Sequence, residues 1–137
     1  MATLRAVARE QLRTVAADAY PSEGCGVLIG TGDEVVEATA GRNLREDRSR
    51  DRYELDPGAI VAAERSARSR GLEVVGFWHS HPDHPAEPSA FDQERAWTEY
   101  LYVIVRTTAD GAEDARGWRL ERDGGAFLEV PLAGREA

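Results

Sequence analysis

His79 and His81 stand one residue apart at the end of an apolar run, in the stretch Gly76-Phe-Trp-His-Ser-His-Pro82, and they are two of the three histidines in the chain. Side chains alternate along a strand, so residues i and i+2 point the same way. Two imidazoles presented like this can grip one metal ion. Pro82 then ends the strand and turns the chain away. The pair alone is weak, because imidazoles also cap and pack. The register after it adds to the signal. Ser89-Ala-Phe-Asp92 is a capping-box pattern, ordinary at a helix start. Such a cap also fixes the first turn rigidly and sets Asp92 at its inner edge. The loop 83–88 is short enough to fold that turn back onto the histidines. His79, His81 and Asp92 then offer two nitrogens and a carboxylate oxygen, a catalytic zinc set with a fourth position for water.

A water activated in this way needs a base, and a ligating side chain cannot serve. Glu23 is the candidate. It lies in Pro21-Ser-Glu-Gly-Cys-Gly26, which bends the backbone sharply before an apolar strand, although a glutamate in a turn is ordinarily solvent-exposed. His84 lies in the loop after the histidine pair, where it reads as solvated or as a contact to substrate or a second ion. Cys25 opens an apolar strand and reads as a buried structural thiol rather than a nucleophile. Trp78 points away from the ligands into the core. Asn43 and Asp56 read as a loop residue and a helix cap, with ordering of backbone near the site as the alternative.

The elements that must position these residues follow from periodicity and turn signals. Residues 2–6 read as a short strand or a helix lead-in. Ala8, Leu12, Val15, Ala16 and Ala19 share a helical face, ended by Pro21 and Gly24. A short buried strand covers 25–30, and Gly32-Asp33 turns into a strand over 35–40. A charged loop without periodicity runs from Arg42 to Arg52. Tyr53-Glu-Leu55 reads as a brief strand. Asp56 caps a helix begun by Pro57 and stopped at Gly71. A central strand covers 72–78, a helix 90–99, a strand 100–107 and a strand 117–122. Gly124-Gly125 turns into a strand over 126–130. Residues 132–137 read as frayed. Mixed strands and helices in one short chain predict an α/β or α+β sandwich, a sheet flanked by helices.

Composition narrows the class. The 137 residues suit one domain with its own core, and the apolar fraction of 42% is that of a globular chain. No apolar run approaches a membrane span, and the N-terminus lacks a signal-peptide layout. The single cysteine excludes an intrachain disulfide framework and suits a reducing compartment, so the expected location is the cytoplasm. A net charge of -8 argues against nonspecific nucleic-acid binding. All 17 basic side chains are arginine. With no lysine, no side-chain amine is offered for isopeptide modification.

Taken together, His79-Ser-His-Pro82, Ser89-x-x-Asp92 and the upstream Pro21-x-Glu-x-Cys-Gly26 resemble the JAMM (MPN-plus) metalloprotease family. The resemblance covers nearly the whole chain. It extends to the Asn43 loop and the Tyr53–Pro57 lead into the second helix, with no departure at the motif positions. It implies an MPN/JAMM-type fold, a cytidine-deaminase-like mixed sheet flanked by helices, as one domain over 1–137. It implies one Zn2+ per chain on His79, His81 and Asp92. Glu23 becomes the general base toward a zinc-bound water, and Ser89 the hydroxyl that stabilises the oxyanion. The substrate implied is the bond after the C-terminal Gly-Gly of a ubiquitin-like or sulfur-carrier protein. The longer second insertion of eukaryotic members is missing, as in stand-alone prokaryotic members. A homodimer is left open. The rivals are a noncatalytic interaction module, disfavoured by the intact motif, and a peptidase on short peptides. A nucleoside deaminase needs a cysteine pair that this chain lacks.

Overall fold

The computed structural model describes residues 1–45, 52–122 and 125–135. The chain order is β1 (Ala2–Arg5), α1 (Ala6–Ala19), β2 (Cys25–Thr31), β3 (Glu34–Ala38), α2 (Pro57–Ser69), β4 (Glu73–Pro82), α3 (Ala90–Glu94), β5 (Leu101–Thr108), β6 (Gly111–Leu120), β7 (Phe127–Val130) and β8 (Leu132–Arg135). The strands form one mixed sheet in the order β7-β6-β5-β4-β2-β3-β1-β8. β4 and β5 run parallel at its centre, while β2 lies antiparallel to β4. This is the α+β mixed sheet with flanking helices that the motifs predict. No helix among the described residues is long and apolar enough to cross a membrane.

Alternation along the central strands makes two cores. Leu28, Trp78, Leu101, Val103 and Val105 face α1, whose Ala8, Leu12 and Ala16 are wholly buried against them. Val27, Ile29, Phe77, Tyr102 and Ile104 face the other way, toward Ala63 and Ala67 of α2. Burying a large aliphatic side chain is worth about 1.5–3 kcal/mol, so both layers hold β4 firmly. β7 and β8 are opposite edges of the sheet, yet only Pro131 separates them in the chain. The sheet therefore curls around α1, which touches strands from β1 across to β6.

Several boundaries differ from the sequence reading. Residues 132–135 are not frayed: β8 pairs in parallel with β1 from Ala2↔Leu132 to Arg5↔Arg135, which satisfies backbone groups that fraying would leave to water. The helix expected over 90–99 ends at Glu94, because the Trp97 N–H turns to the Tyr102 hydroxyl at 2.8 Å. Trp97 and Tyr100 then close on Phe77. Tyr53–Leu55 is not a strand; it contributes only an isolated bridge between Leu55 and Asn43. β4 does not stop at Trp78 but carries the histidines within it to Pro82, because β5 pairs alongside as far as Thr107. β6 begins at Gly111, earlier than expected, since the turn before it is short. Most of the charged loop after Arg45, and Gly124, lie outside the described residues.

Candidate metal centre

β4 presents His79 and His81 on one face, that of Phe77. Both rings are buried, at 1% and 6% exposure. Beyond Pro82 the chain reverses through Asp83, which holds a left-handed φ of 59°. The Asp83 N–H donates to the Thr107 carbonyl at 2.7 Å, and its carboxylate accepts from the Tyr20 hydroxyl at 2.8 Å. The returning loop is fixed by Trp118, whose indole N–H donates to the Ala86 carbonyl at 3.1 Å. This brings Ser89 and the short α3 back over the histidines.

The capping box and the candidate metal ligand are one device. Ser89 Oγ accepts the Asp92 N–H at 3.1 Å, and Asp92 Oδ2 accepts the Ser89 N–H at 2.9 Å. The same Oδ2 lies 3.1 Å from His79 Nε2 and 3.1 Å from His81 Nε2. The two Nε2 atoms are themselves 3.1 Å apart. His79, His81 and Asp92 thus converge as three buried donor atoms. Tetrahedral zinc with bonds of about 2.0–2.2 Å sets its ligand atoms roughly 3.3 Å apart, close to this triangle.

Hydrogen-bond chemistry argues for a cation in the same place. His81 Nδ1 lies 2.8 Å from the Pro85 carbonyl, which can only accept, so Nδ1 carries the proton. A neutral His81 then turns the lone pair of Nε2 toward Asp92 Oδ2. Two lone-pair atoms facing each other at this distance repel unless a metal ion, or a proton taken up by His81, lies between them. Two nitrogens with one oxygen suit zinc better than magnesium or calcium, which prefer oxygen.

Electrostatics favour the ligand-competent forms. Burial opposes the charge on Asp92, but the adjoining His79 and His81 rings and the Ser89 N–H hold its carboxyl well below the usual range. Burial lowers His79, keeping it neutral. Burial also opposes charge on His81, yet its bonds to Asp92 and Pro85 raise it overall. Metal binding requires deprotonated ligands, and two of the three are already in that state at neutral pH.

Glu23 is buried at 5% exposure, not solvated as turn glutamates usually are. Two interactions set its backbone. Ser80, whose side chain points to the opposite face from the ligands, holds the next residue, Gly24, by hydrogen bonds at both its N–H and its carbonyl. Asn43 Nδ2 donates to the Glu23 carbonyl at 3.2 Å and to the Arg52 carbonyl at 3.1 Å. Asn43 Oδ1 accepts the N–H groups of Arg45 at 2.9 Å and Glu54 at 3.0 Å. Asn43 therefore orders backbone at the site. Asp56 acts as a helix cap, accepting the Gly58 N–H at 2.9 Å. Glu23, His81 and Ser89 line one open cleft of about 430 Å³ with His84, Pro85 and Glu87. His84 is exposed at its rim.

Cys25 pairs with His79 across the β2–β4 ladder but is buried. Burial, aided by the Glu23 charge, pushes its thiol up to about 12, so it is no nucleophile at neutral pH. Trp78 is fully buried on the α1 side, as expected, with its N–H on the Thr39 carbonyl at 2.8 Å. The sequence reading missed two residues. One is Ser80, whose only signal is a small hydroxyl between two ligands. The other is Tyr53, whose ring stacks on His79 at 4.4 Å and 22°.

Residues 5–121 match the family model described as prokaryotic homologs of the JAB domain. The chain belongs to this family. A desampylase from Haloferax volcanii is 38% identical over 138 residues, spanning 96% of this chain and 94% of that protein. A probable TtuB-protein conjugate cleaving protease from Thermus thermophilus is 38% identical over 55 residues, 40% of this chain and 37% of that protein. A solved structure described as JAMM, a metalloprotease-like zinc site in the proteasome and signalosome, matches with a TM-score of 0.59 at 20% identity. It covers 98% of this chain and 97% of that one, a likeness of fold. This prokaryotic JAB chain is a JAMM-type hydrolase.

Proposed function

We propose that this JAB-family protein is a zinc-dependent isopeptidase. Its substrate is a conjugate of a ubiquitin-like or sulfur-carrier protein, cut after the C-terminal Gly-Gly. One domain over residues 1–137 carries the activity. The observation that carries this reading is the meeting of His79, His81 and Asp92 at one point beside a cleft that Glu23 and Ser89 both line. The names of the Haloferax and Thermus relatives support the conjugate as substrate class.

His79 Nε2, His81 Nε2 and Asp92 Oδ2 would hold the zinc. Zinc in such a site lowers the pKa of a water toward about 7 and polarises a carbonyl. Glu23 takes a proton from the attacking water. The water oxygen bonds to the scissile carbonyl carbon, the C–N bond breaks, and Glu23 returns the proton to the departing amine. Ser89 Oγ already accepts the Asp92 N–H, so its own hydrogen is donated to the carbonyl oxygen as negative charge grows there. A Gly-Gly tail lacks side chains and can lie extended in the cleft. His84 and Glu87 line the same cleft.

The test is incubation with diglycine-tailed ubiquitin-like and sulfur-carrier proteins, each joined to a lysine peptide or to cysteine. It is run with and without a chelator, and with Glu23→Gln. Cleavage after Gly-Gly that disappears with chelator and with Glu23→Gln is expected. Cleavage that survives both sinks the mechanism. Cleavage of short unrelated peptides but of no diglycine fusion overturns the substrate class.

A further inference from the structure

Three guanidinium groups surround one ring beside the metal centre. Arg52, Arg95 and Arg45 place their Cζ atoms 4.8, 5.3 and 5.7 Å from the Phe91 centroid. Phe91 is the residue before the ligand Asp92, and Arg95 caps the end of the same short helix. Five arginines elsewhere are matched to carboxylates. Arg5 pairs with Glu34, Arg70 with Glu37, Arg106 with Glu113, Arg116 with Glu129 and Arg119 with Asp33. Among the described residues, Arg52 and Arg95 make no ion pair, although Glu54 lies two residues from the first and Glu94 adjoins the second.

Attraction to one ring, about 0.5–1 kcal/mol per cation at an exposed site, orients these groups but leaves their charges facing one another. Stacking against the ring also turns the N–H edges of a guanidinium outward, as a fork for a carboxylate. The result is a positive patch on a chain of net charge -8. It adjoins a second cavity, of about 110 Å³, which Arg95 lines with Tyr53, Trp97 and Tyr102. Trp97 is 53% exposed there. Arginine and tryptophan side by side are the residue types that anchor protein interfaces.

We infer that the Phe91 arginine cluster is a docking surface for an acidic face of the ubiquitin-like protein whose tail enters the cleft. The inference rests on the isopeptidase reading for its partner. Charge decides the sign, since an anionic surface is what two unmatched guanidiniums bind. The modifier rather than the target is the occupant, because the modifier is common to every conjugate while targets differ. A surface built next to the ligands recognises the constant part.

The experiment compares the zinc-loaded protein with the double variant Arg52→Glu/Arg95→Glu. Neither arginine is placed in the chemistry, and zinc content and melting temperature check that the variant is intact. Two substrates are used: a net-acidic, diglycine-tailed ubiquitin-like protein joined to a lysine peptide, and a short Gly-Gly isopeptide without the folded modifier. The double variant raises KM for the protein conjugate by about tenfold or more, with kcat nearly unchanged and its salt dependence flattened. The short isopeptide is cut equally well by both proteins. An unchanged KM, or equal damage to both substrates, overturns the docking surface. Calorimetric binding of the free modifier to each protein separates this from a failure of the isopeptidase reading. Weakening on charge reversal supports the surface even where no cleavage occurs, whereas equal binding, or no binding to the wild type, overturns it. Reversing acidic residues on the modifier to arginine restores binding to the double variant.

Discussion

Ser80 and Gly24 hold each other from both sides: the Gly24 N–H donates to Ser80 Oγ at 2.8 Å, and the Ser80 N–H donates to the Gly24 carbonyl at 3.0 Å. The residue between His79 and His81 is thereby tied to the residue after Glu23. The strand that carries the two histidines also sets the position of Glu23.

Ser80→Ala keeps the strand but leaves a buried Gly24 N–H without an acceptor, at a cost of about 1–3 kcal/mol. The melting temperature falls by several degrees. Because Glu23 loses its anchor, kcat falls by roughly tenfold or more while zinc binding is retained. Side-by-side measurement of zinc stoichiometry and kcat checks this. Unchanged kcat would show that Asn43 alone sets Glu23.

Tyr53 orients His79. His79 Nδ1 is buried and has no hydrogen-bond partner, unlike His81, whose Nδ1 is fixed by Pro85. The Tyr53 stack takes that orienting role. Tyr53→Ala weakens zinc affinity by about 10- to 100-fold, the usual scale for losing support behind a ligand. Tyr53→Phe retains it, since the ring and not the hydroxyl does the stacking. Competition with a zinc chelator reads both variants, and an equal loss in Tyr53→Phe counts against stacking.

Glu23 and Ser89 fail differently when removed. Glu23→Gln keeps the metal and loses about 100- to 10,000-fold in kcat, the range of acid–base catalysis. Ser89→Ala loses about 100- to 1000-fold as an oxyanion donor. It also loses a helix cap worth about 1 kcal/mol, so melting temperature falls in Ser89→Ala and not in Glu23→Gln. Calorimetric melting alongside single-turnover rates distinguishes the two.

Cys25 stays protonated in the native protein, with its thiol pushed up to about 12 by burial and the nearby Glu23 charge. Iodoacetamide at pH 8 therefore leaves activity unchanged, and labelling begins only on unfolding. The unfolded thiol ionises near its ordinary value of about 8.5 while the folded one does not. Stability therefore declines as pH rises above that value, and Cys25→Ala flattens the decline. Denaturant midpoints between pH 8 and 11 measure it.

The ligand set was legible because each of its parts is local. Alternation puts His79 and His81 on one face, and a capping box spans only Ser89 to Asp92. The box did not compete with the metal reading, because the Asp92 Oδ2 that closes the box also faces both histidines. Helix α2 was readable from Asp56-Pro57 to Gly71 for the same reason. Errors fell where a distant partner overrides local pattern. Tyr102 draws the Trp97 N–H and ends α3 early. β1 takes in a C-terminal strand that looks unremarkable alone.

The sequence by itself determined the chemistry on offer, two imidazoles, two carboxylates and a hydroxyl in a recognisable register, and the family to which they point. Only the tertiary structure decided that these groups meet. Glu23 reaches the cleft through Gly24 on Ser80 and through Asn43, and Tyr53 packs on His79. Arg52 and Arg95 gather on Phe91 without carboxylate partners among the described residues. These are contacts between residues far apart in the chain, and no spacing rule encodes them. They exist because the sheet brings β2 beside β4, and because two packed cores leave the strands one register in which to sit.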